Sequence, residues 1–227
     1  MRDDDLKIYL FVKDKLKSGV QIIAFGETNH GSHDTVFREL FDGENLFKGI
    51  FLELSNDYQS SIDFFLQNGN FDEKLERTIA GALKEGKNIR NNLELILFFA
   101  RRNKIPVICI DSSKTQNNEY QTKSEHGYFF LKGKSRNEDM FNIVFETINK
   151  VTGKWLIIGG SQHIKYGIHF RSNDETLGSR LNVILKNKFF NISLYNVSDF
   201  TATEIFNVRD HQFDGYILHK LERSEFL

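Results

Sequence analysis

What this sequence has least of narrows its function first. It contains one cysteine. A lone thiol forms no internal disulfide and builds no thiolate zinc or iron–sulfur centre by itself, so a metal held here would use histidine and carboxylate ligands. It also contains one proline, Pro106, and no Pro/Ser-rich linker, so a single domain over residues 1–227 is expected. Net charge is equally scarce, because 30 Lys and Arg stand against 31 Asp and Glu. That balance offers no global field to gather nucleic acid or an anionic membrane. No stretch approaches the roughly 18 uninterrupted apolar residues of a membrane span. The start, Met1-Arg2-Asp3-Asp4-Asp5, is acidic where a secretion signal is basic. A soluble, cytoplasmic protein with no nucleic-acid and no membrane partner is expected.

Phenylalanine, in contrast, is abundant, with 22 copies in a chain that is 40% hydrophobic, enough to build a substantial core. The apolar residues fall in short blocks rich in β-branched and aromatic side chains: 21–26, 49–54, 106–111, 155–160, 189–195 and 214–219. Longer amphipathic stretches separate them. Leu93, Ile96, Leu97 and Ala100 form one helical stripe, Met140, Val144 and Ile148 a second, Leu177, Leu181 and Leu185 a third, and Tyr58, Ile62, Phe65 and Leu66 a fourth. The alternation predicts an α/β fold with a mostly parallel central sheet flanked by helices on both faces. Helix starts are expected at Asp57 as an N-cap and at two capping boxes, Ser135-Arg136-Asn137-Glu138 and Ser172-Asn173-Asp174-Glu175. The polar, aperiodic segment 112–127 reads as a surface loop in a position to cover a site.

In a parallel sheet the loops leaving the carboxyl ends of the strands build the ligand crevice. The first block runs into Gly26-Glu27-Thr28-Asn29-His30-Gly31-Ser32-His33, the second ends at Glu53-Leu54, the third at Asp111, and the fourth at Gly159-Gly160-Ser161-Gln162-His163. Two imidazoles and several carboxylates are thereby expected on one rim. A neutral imidazole held by a carboxylate takes a proton from water near neutral pH, and the same atoms suit a divalent cation. Asp111 before Ser112-Ser113 suits a local Asx turn, and Cys109 within its apolar block suits an inert core thiol. His33, three residues beyond His30, has a metal-binding spacing but is expected to face partly outward. His126, His169, His211 and His219 carry no supporting pattern.

Gly26-Glu27-Thr28-Asn29-His30-Gly31 resembles the opening motif of the erythromycin esterase family, part of a superfamily that includes the Tiki proteases and the ChaN haem-binding proteins. The likeness continues through Phe51-Leu52-Glu53, through Ser135-Arg136 with Met140 and Asn142, through 155–163 with its histidine, through Thr176-Leu177-Gly178-Ser179-Arg180-Leu181, and through Phe213-Asp214-Gly215-Tyr216. The resemblance implies a hydrolase in which His30 activates water, Glu27 and Glu53 orient and charge it, His163 is a second essential imidazole, and Arg38 and Arg136 hold a carbonyl or carboxylate. The implied substrate is a small-molecule ester or lactone, with no cofactor. Two alternatives accompany it: a Tiki-like metallohydrolase holding zinc or manganese on Glu27, His30, Glu53 and His163, and a ChaN-like haem binder. The chain departs from the esterases in having Gly160-Ser161-Gln162-His163 where they carry His-Asn-x-His, a form closer to Tiki and ChaN. Only 24 residues lie between Asp111 and Arg136, where the esterases carry extra helices that frame a macrolide-sized cleft.

Overall fold

A computed structural model describes residues 6–28, 33–84, 89–112, 121–123, 129–131, 136–169, 174–197, 203–207 and 210–220. His30 and its neighbours Asn29, Gly31 and Ser32 lie outside the described residues, as do Ser135 and Ser172-Asn173 of the two expected capping boxes.

The six expected strands are all present, as β1 (Ile22–Glu27), β2 (Gly49–Ser55), β3 (Val107–Asp111), β6 (Trp155–Gly160), β7 (Phe189–Val197) and β9 (Gly215–Lys220). They form one sheet in the order β3-β2-β6-β1-β7-β9, parallel throughout, and the short β8 (Glu204–Phe206) closes it as an antiparallel edge. The α/β class with a mostly parallel sheet is thus as the periodicity requires. The missing polar alternation has its explanation in burial on both faces. Ile23, Phe25, Ile50, Leu52, Leu156 and Ile158 pack into one core, whereas Ile22, Ala24, Phe51, Trp155 and Ile157 pack into a second on the other side.

Helices α1 (Lys7–Lys17), α2 (Asp34–Phe41), α3 (Gln59–Asn68) and α5 (Ile89–Asn103) bury residues in the first core, together with Leu75 of α4 (Glu73–Lys84). Helices α6 (Arg136–Lys150), α7 (Ser161–Ile164) and α8 (Leu177–Leu185) cover the second. The stripes Leu93/Ile96/Leu97/Ala100 and Met140/Val144 are buried as their spacing demands.

Local structure differs from expectation in three places. α8 is capped by Thr176, whose hydroxyl accepts from Ser179 N at 3.2 Å, while Glu175 lies upstream in a bridge to Ile168. Thr176 wins because its hydroxyl also reaches the carbonyl of Lys165 and so ties two segments together. Asp57 is not a cap: Ser55 Oγ accepts from the Asp57 N–H at 3.3 Å and opens a single 3₁₀ turn, Asn56–Tyr58, ahead of α3. β4 (Gln121–Lys123), inside the segment read as loop, pairs antiparallel with β5 (Phe129–Leu131), which follows that segment.

The sheet order also sets where a crevice forms. β1 lies between β6 and β7, and its chain leaves through α2 for β2 on the far side of β6. β6 leaves through α7 and α8, on the opposite face, for β7 on the far side of β1. Connections that diverge in this way leave the carboxyl ends of neighbouring strands uncovered between them.

Candidate active site

Four side chains from distant points in the sequence meet at that edge. Glu53 comes from β2, Asp111 is the last residue of β3, Arg136 opens α6, and His163 lies on α7 directly after β6. Arg136 binds Asp111 as a fork, Nε to Oδ1 and Nη2 to Oδ2, both at 2.8 Å. Its Nη2 also donates to Glu53 Oε1 at 2.8 Å, and its Nη1 lies 3.0 Å from His163 Nε2. Four of the five guanidinium N–H groups are committed in this way. Burial works against the charge on Arg136, but the hydrogen bonds and attraction of Asp111 and Glu53 outweigh it and hold the guanidinium above its ordinary pKa.

The network also fixes the proton on His163. A guanidinium can only donate, so Nε2 is an acceptor toward Arg136. On the other side of the ring, Nδ1 lies 2.7 Å from Asn137 Oδ1, whose amide nitrogen faces Asp174 Oδ2 at 3.5 Å. Nδ1 therefore donates. The imidazole is held in one tautomer from both ends, and the side-chain amide of Asn137, 1% exposed, is engaged by that ring and by Asp174.

Glu53 is seated with equal care. Its Oε2 accepts from the backbone N–H of Gly160 at 2.6 Å. A Cβ on Gly159 would come within 2.8 Å of that same oxygen, so the missing side chain is what admits the carboxylate against β6. One strand further along, Glu27 is paired in register with Gly160, which brings the second glutamate to the same rim. Glu27 is 9% exposed and accepts from Asn92 Nδ2 of α5 at 3.1 Å. Gly26, just before it, lets α7 settle on β1: a Cβ there would meet Ser161 Cα at 2.9 Å.

Of the residues singled out in the sequence, Glu27, Glu53, Arg136 and His163 gather at this edge, and His30 follows Glu27 by three positions in the β1–α2 connection. Arg38 does not join them. It sits late in α2, its side chain 59% exposed and 3.9 Å from Asp34 Oδ2. There it lines a cleft with Phe41, Asp42 and the arginines that end α5, toward the amino side of the sheet. An eight-residue separation from His30 carries the side chain down the helix and away from the rim.

Two members of the site, Asn137 and His169, are not singled out by the sequence, and Asp111 is placed on the rim there but read as a turn residue. Asp111 makes the expected local turn, accepting from Ser112 N at 2.9 Å, and in addition carries the Arg136 fork. Asn137 had a readable signal, its place beside Arg136, but asparagine at a helix start reads first as a capping residue. His169 stacks on His163 with centroids 4.9 Å apart and planes 21° from parallel, a contact made by the chain folding back after α7. His33 is fully buried instead of facing outward, its Nδ1 2.7 Å from His219 Nε2. Its metal-type spacing from His30 thus serves an imidazole pair with β9.

Glu53 and His163 each meet Arg136 through an atom a cation would need, so a metal on that pair competes with a guanidinium already in place. Among the described residues no group of three or more His, Cys, Asp or Glu is arranged to hold a metal ion.

No protein-family model matches this sequence, and no curated protein does. Solved structures do. Erythromycin esterase EreC in its open conformation superposes with a TM-score of 0.58 at 10% identity, over 92% of this chain and 78% of that one. The fold is shared with an esterase. A succinoglycan biosynthesis protein matches with a TM-score of 0.59 at 12% identity, over 87% of this chain and 70% of that one. The RRSP effector domain of a Vibrio vulnificus MARTX toxin matches with a TM-score of 0.51 at 16% identity, over 86% of this chain. This chain spans 36% of that effector's length and 39% of another bacterial toxin's. At such identities the likeness establishes a common fold. Among the described residues no helix is long and apolar enough to cross a membrane.

Proposed function

We propose that the protein is a hydrolase of the erythromycin esterase type, which uses His30 to activate water against a carboxylic ester or lactone. The observation that carries this reading is the Arg136 network: one guanidinium gathers Glu53, Asp111 and the acceptor nitrogen of His163 at the carboxyl edge of the sheet. Such a cluster costs the fold desolvation energy, and an apolar edge would be as stable or more so. Its value lies in what it holds in place.

Each residue then has a distinct task. Glu27, held by Asn92, steadies the imidazole of His30 three residues later. His30 takes a proton from water as the water oxygen bonds to the carbonyl carbon, and the carbonyl π electrons move onto oxygen. The remaining Nη1–H of Arg136 is the donor for that oxyanion, in a site 24% exposed at the guanidinium. On collapse the C–O bond to the leaving group breaks, and the alkoxide recovers the proton from His30. Acid and alcohol are the products, and no acyl-enzyme forms. His163, with its lone pair engaged by Arg136, holds the guanidinium at the right angle instead of serving as the base.

The test is turnover of an ester and lactone panel by purified wild type, His30→Ala and His163→Ala, before and after chelation with EDTA. Chelation-resistant hydrolysis that falls by at least about 10²-fold in His30→Ala, with native circular dichroism, is expected. Undiminished turnover in His30→Ala overturns the proposal.

A further inference from the structure

Arg38, which the carboxyl rim leaves out, lines a second concavity. Where the last turn of α2 meets that of α5, Arg38 and Asp42 share a cleft of about 460 Å³ with Phe98, Arg101 and Arg102. Sites for one small molecule run to roughly 300–1,000 Å³. The cleft has no lining residue in common with the network of Glu53, Asp111, Arg136 and His163. Its deep wall is rigid: Phe41 of α2 and Phe99 of α5 stack with centroids 4.1 Å apart and planes 15° from parallel, each 4% exposed.

The three guanidiniums differ in how far the fold itself uses them. Arg102 is anchored, with Nη2 donating to the Phe41 carbonyl at 2.7 Å and Cζ 5.7 Å from the Phe99 centroid. That contact closes the carboxyl end of α2, where a cation is favoured on local grounds. Arg38 has only the exposed, 3.9 Å pair with Asp34, which contributes little. Arg101 lies against the left-handed glycine that ends α3, since a Cβ on Gly69 would come within 2.7 Å of its Cζ. Among the described residues no hydrogen bond or ion pair holds the Arg101 guanidinium. Three arginines and one aspartate therefore line this cleft in a chain whose net charge is −1. The aromatic wall is equally distinctive. Phe98 is 53% exposed, yet its ring is fixed by edge-type contacts to Phe65 and Phe71 at interplanar angles of 83° and 71°.

The geometry points to a nucleotide site in this cleft: a nucleoside phosphate whose phosphate oxygens pair with Arg38 and Arg101, whose base lies on Phe98, and whose ribose hydroxyls donate to Asp42. A guanidinium presents a planar fork that matches two phosphate oxygens at once. An exposed, held aromatic ring takes any base, because every base has a π face. A carboxylate accepts from sugar hydroxyls, as it does in dinucleotide sites. Asp42 weighs against an anionic membrane surface, whose headgroups it repels, and Phe98 weighs against inorganic phosphate, which leaves the ring uncovered. The site stands apart from the hydrolase reading and does not depend on it.

Titration calorimetry on the full chain at low ionic strength tests this, with magnesium-free ATP, tripolyphosphate and adenosine as probes. Wild type is expected to bind ATP with a Kd below about 1 mM. Tripolyphosphate is expected to bind at least about fivefold more weakly, for want of a stacked base. Adenosine, without phosphate, is expected to give no measurable heat. Arg38→Gln and Arg101→Gln are each expected to weaken ATP at least about fivefold. Phe98→Ala is expected to remove the advantage of ATP over tripolyphosphate. All three side chains are exposed, so these variants are expected to melt with the wild type. A wild type that binds no ATP overturns the proposal, and if it sediments with phosphatidylserine vesicles instead, the cleft serves a lipid surface. Equal affinity for ATP and tripolyphosphate also overturns it, leaving a polyanion site without base recognition. So does ATP binding that neither Arg38→Gln nor Arg101→Gln weakens, because the nucleotide then sits elsewhere.

Discussion

Two regions of the sheet solve the problem of buried polarity in opposite ways. Across β2, β3 and β6 the polar groups are charged: Glu53, Asp111 and Arg136 meet in a partly accessible cluster. Across β7 and β9 an acid is tied instead to neutral partners and backbone. Asn191 and Asp214 exchange hydrogen bonds with each other's main chain at 2.9 and 3.2 Å, Tyr166 donates its hydroxyl to Asp214, and Asn191 Nδ2 serves two carbonyls. His33 and His219 share one interaction at no more than 1% exposure. The second region locks strands and the α7 turn together. The first pays in desolvation for a guanidinium aimed at an imidazole, and that difference separates scaffold from site.

The largest effect that would break this contrast is at Arg136. Arg136→Met leaves two carboxylates without their shared cation, and a loss of about 3–5 kcal/mol in stability is expected from urea unfolding, together with loss of turnover. Asn191→Leu in the other region leaves the carbonyl of Ile164 unserved and strips one of two partners each from the carbonyl of Gln212, which keeps the Tyr166 N–H, and from the N–H of Asp214, which keeps the Asn191 carbonyl. About 2–3 kcal/mol is expected there, with a much smaller change in turnover for the fraction that is folded. Should Asn191→Leu silence turnover as fully as Arg136→Met, the division into scaffold and site would not hold. Asn137→Leu sharpens the comparison within the site: His163 loses the acceptor at Nδ1, and turnover is expected to fall roughly tenfold or more with stability down by about 1–2 kcal/mol.

The smallest effect near neutral pH concerns Cys109, which lies within the β-sheet at 2% exposure. Burial, with a contribution from the charge of Asp63, pushes its thiol pKa up to about 12. The unfolded thiol ionises near 9, so between these values the folded state holds a proton the unfolded state has lost. Stability from this group is complete below about pH 9 and declines as pH rises toward 12, by at most about 1.4 kcal/mol per pH unit. Cys109→Ala is expected to flatten that decline, and the folded wild type to resist a thiol reagent at pH 8 that labels it rapidly in urea.

Much of the fold could be read directly because the strands are buried on both faces and therefore appear as unbroken apolar blocks. β8 escaped notice: three residues with one partly buried side chain carry no block. α1 escaped for a different reason, since Ile8, Val12 and Leu16 do repeat every four residues but lie among lysines that draw attention to charge. The Phe pairs show how helices divide what sequence presents together, with Phe65 and Phe99 buried and Phe64 and Phe98 about half exposed. At the rim, the carboxyl-edge rule points to Glu27, Glu53, Asp111 and His163. It could not show that Asp111 and Asn137 complete the network, because each also has an ordinary local reading as turn or cap, and only the packing of α6 against β3 gives them the second partner.

The central physical claim is that Arg136 and Asn137 hold His163 from both sides with its proton on Nδ1. Nitrogen-15 chemical shifts of the His163 ring, measured at pH 7 on labelled protein and assigned with His163→Gln, test this directly. A protonated Nδ1 with an unprotonated Nε2, lost in Asn137→Leu, is the predicted result. A proton on Nε2 in the wild type would contradict it, because Arg136 could not then donate to that nitrogen and the arrangement at the carboxyl edge would have to be a different one.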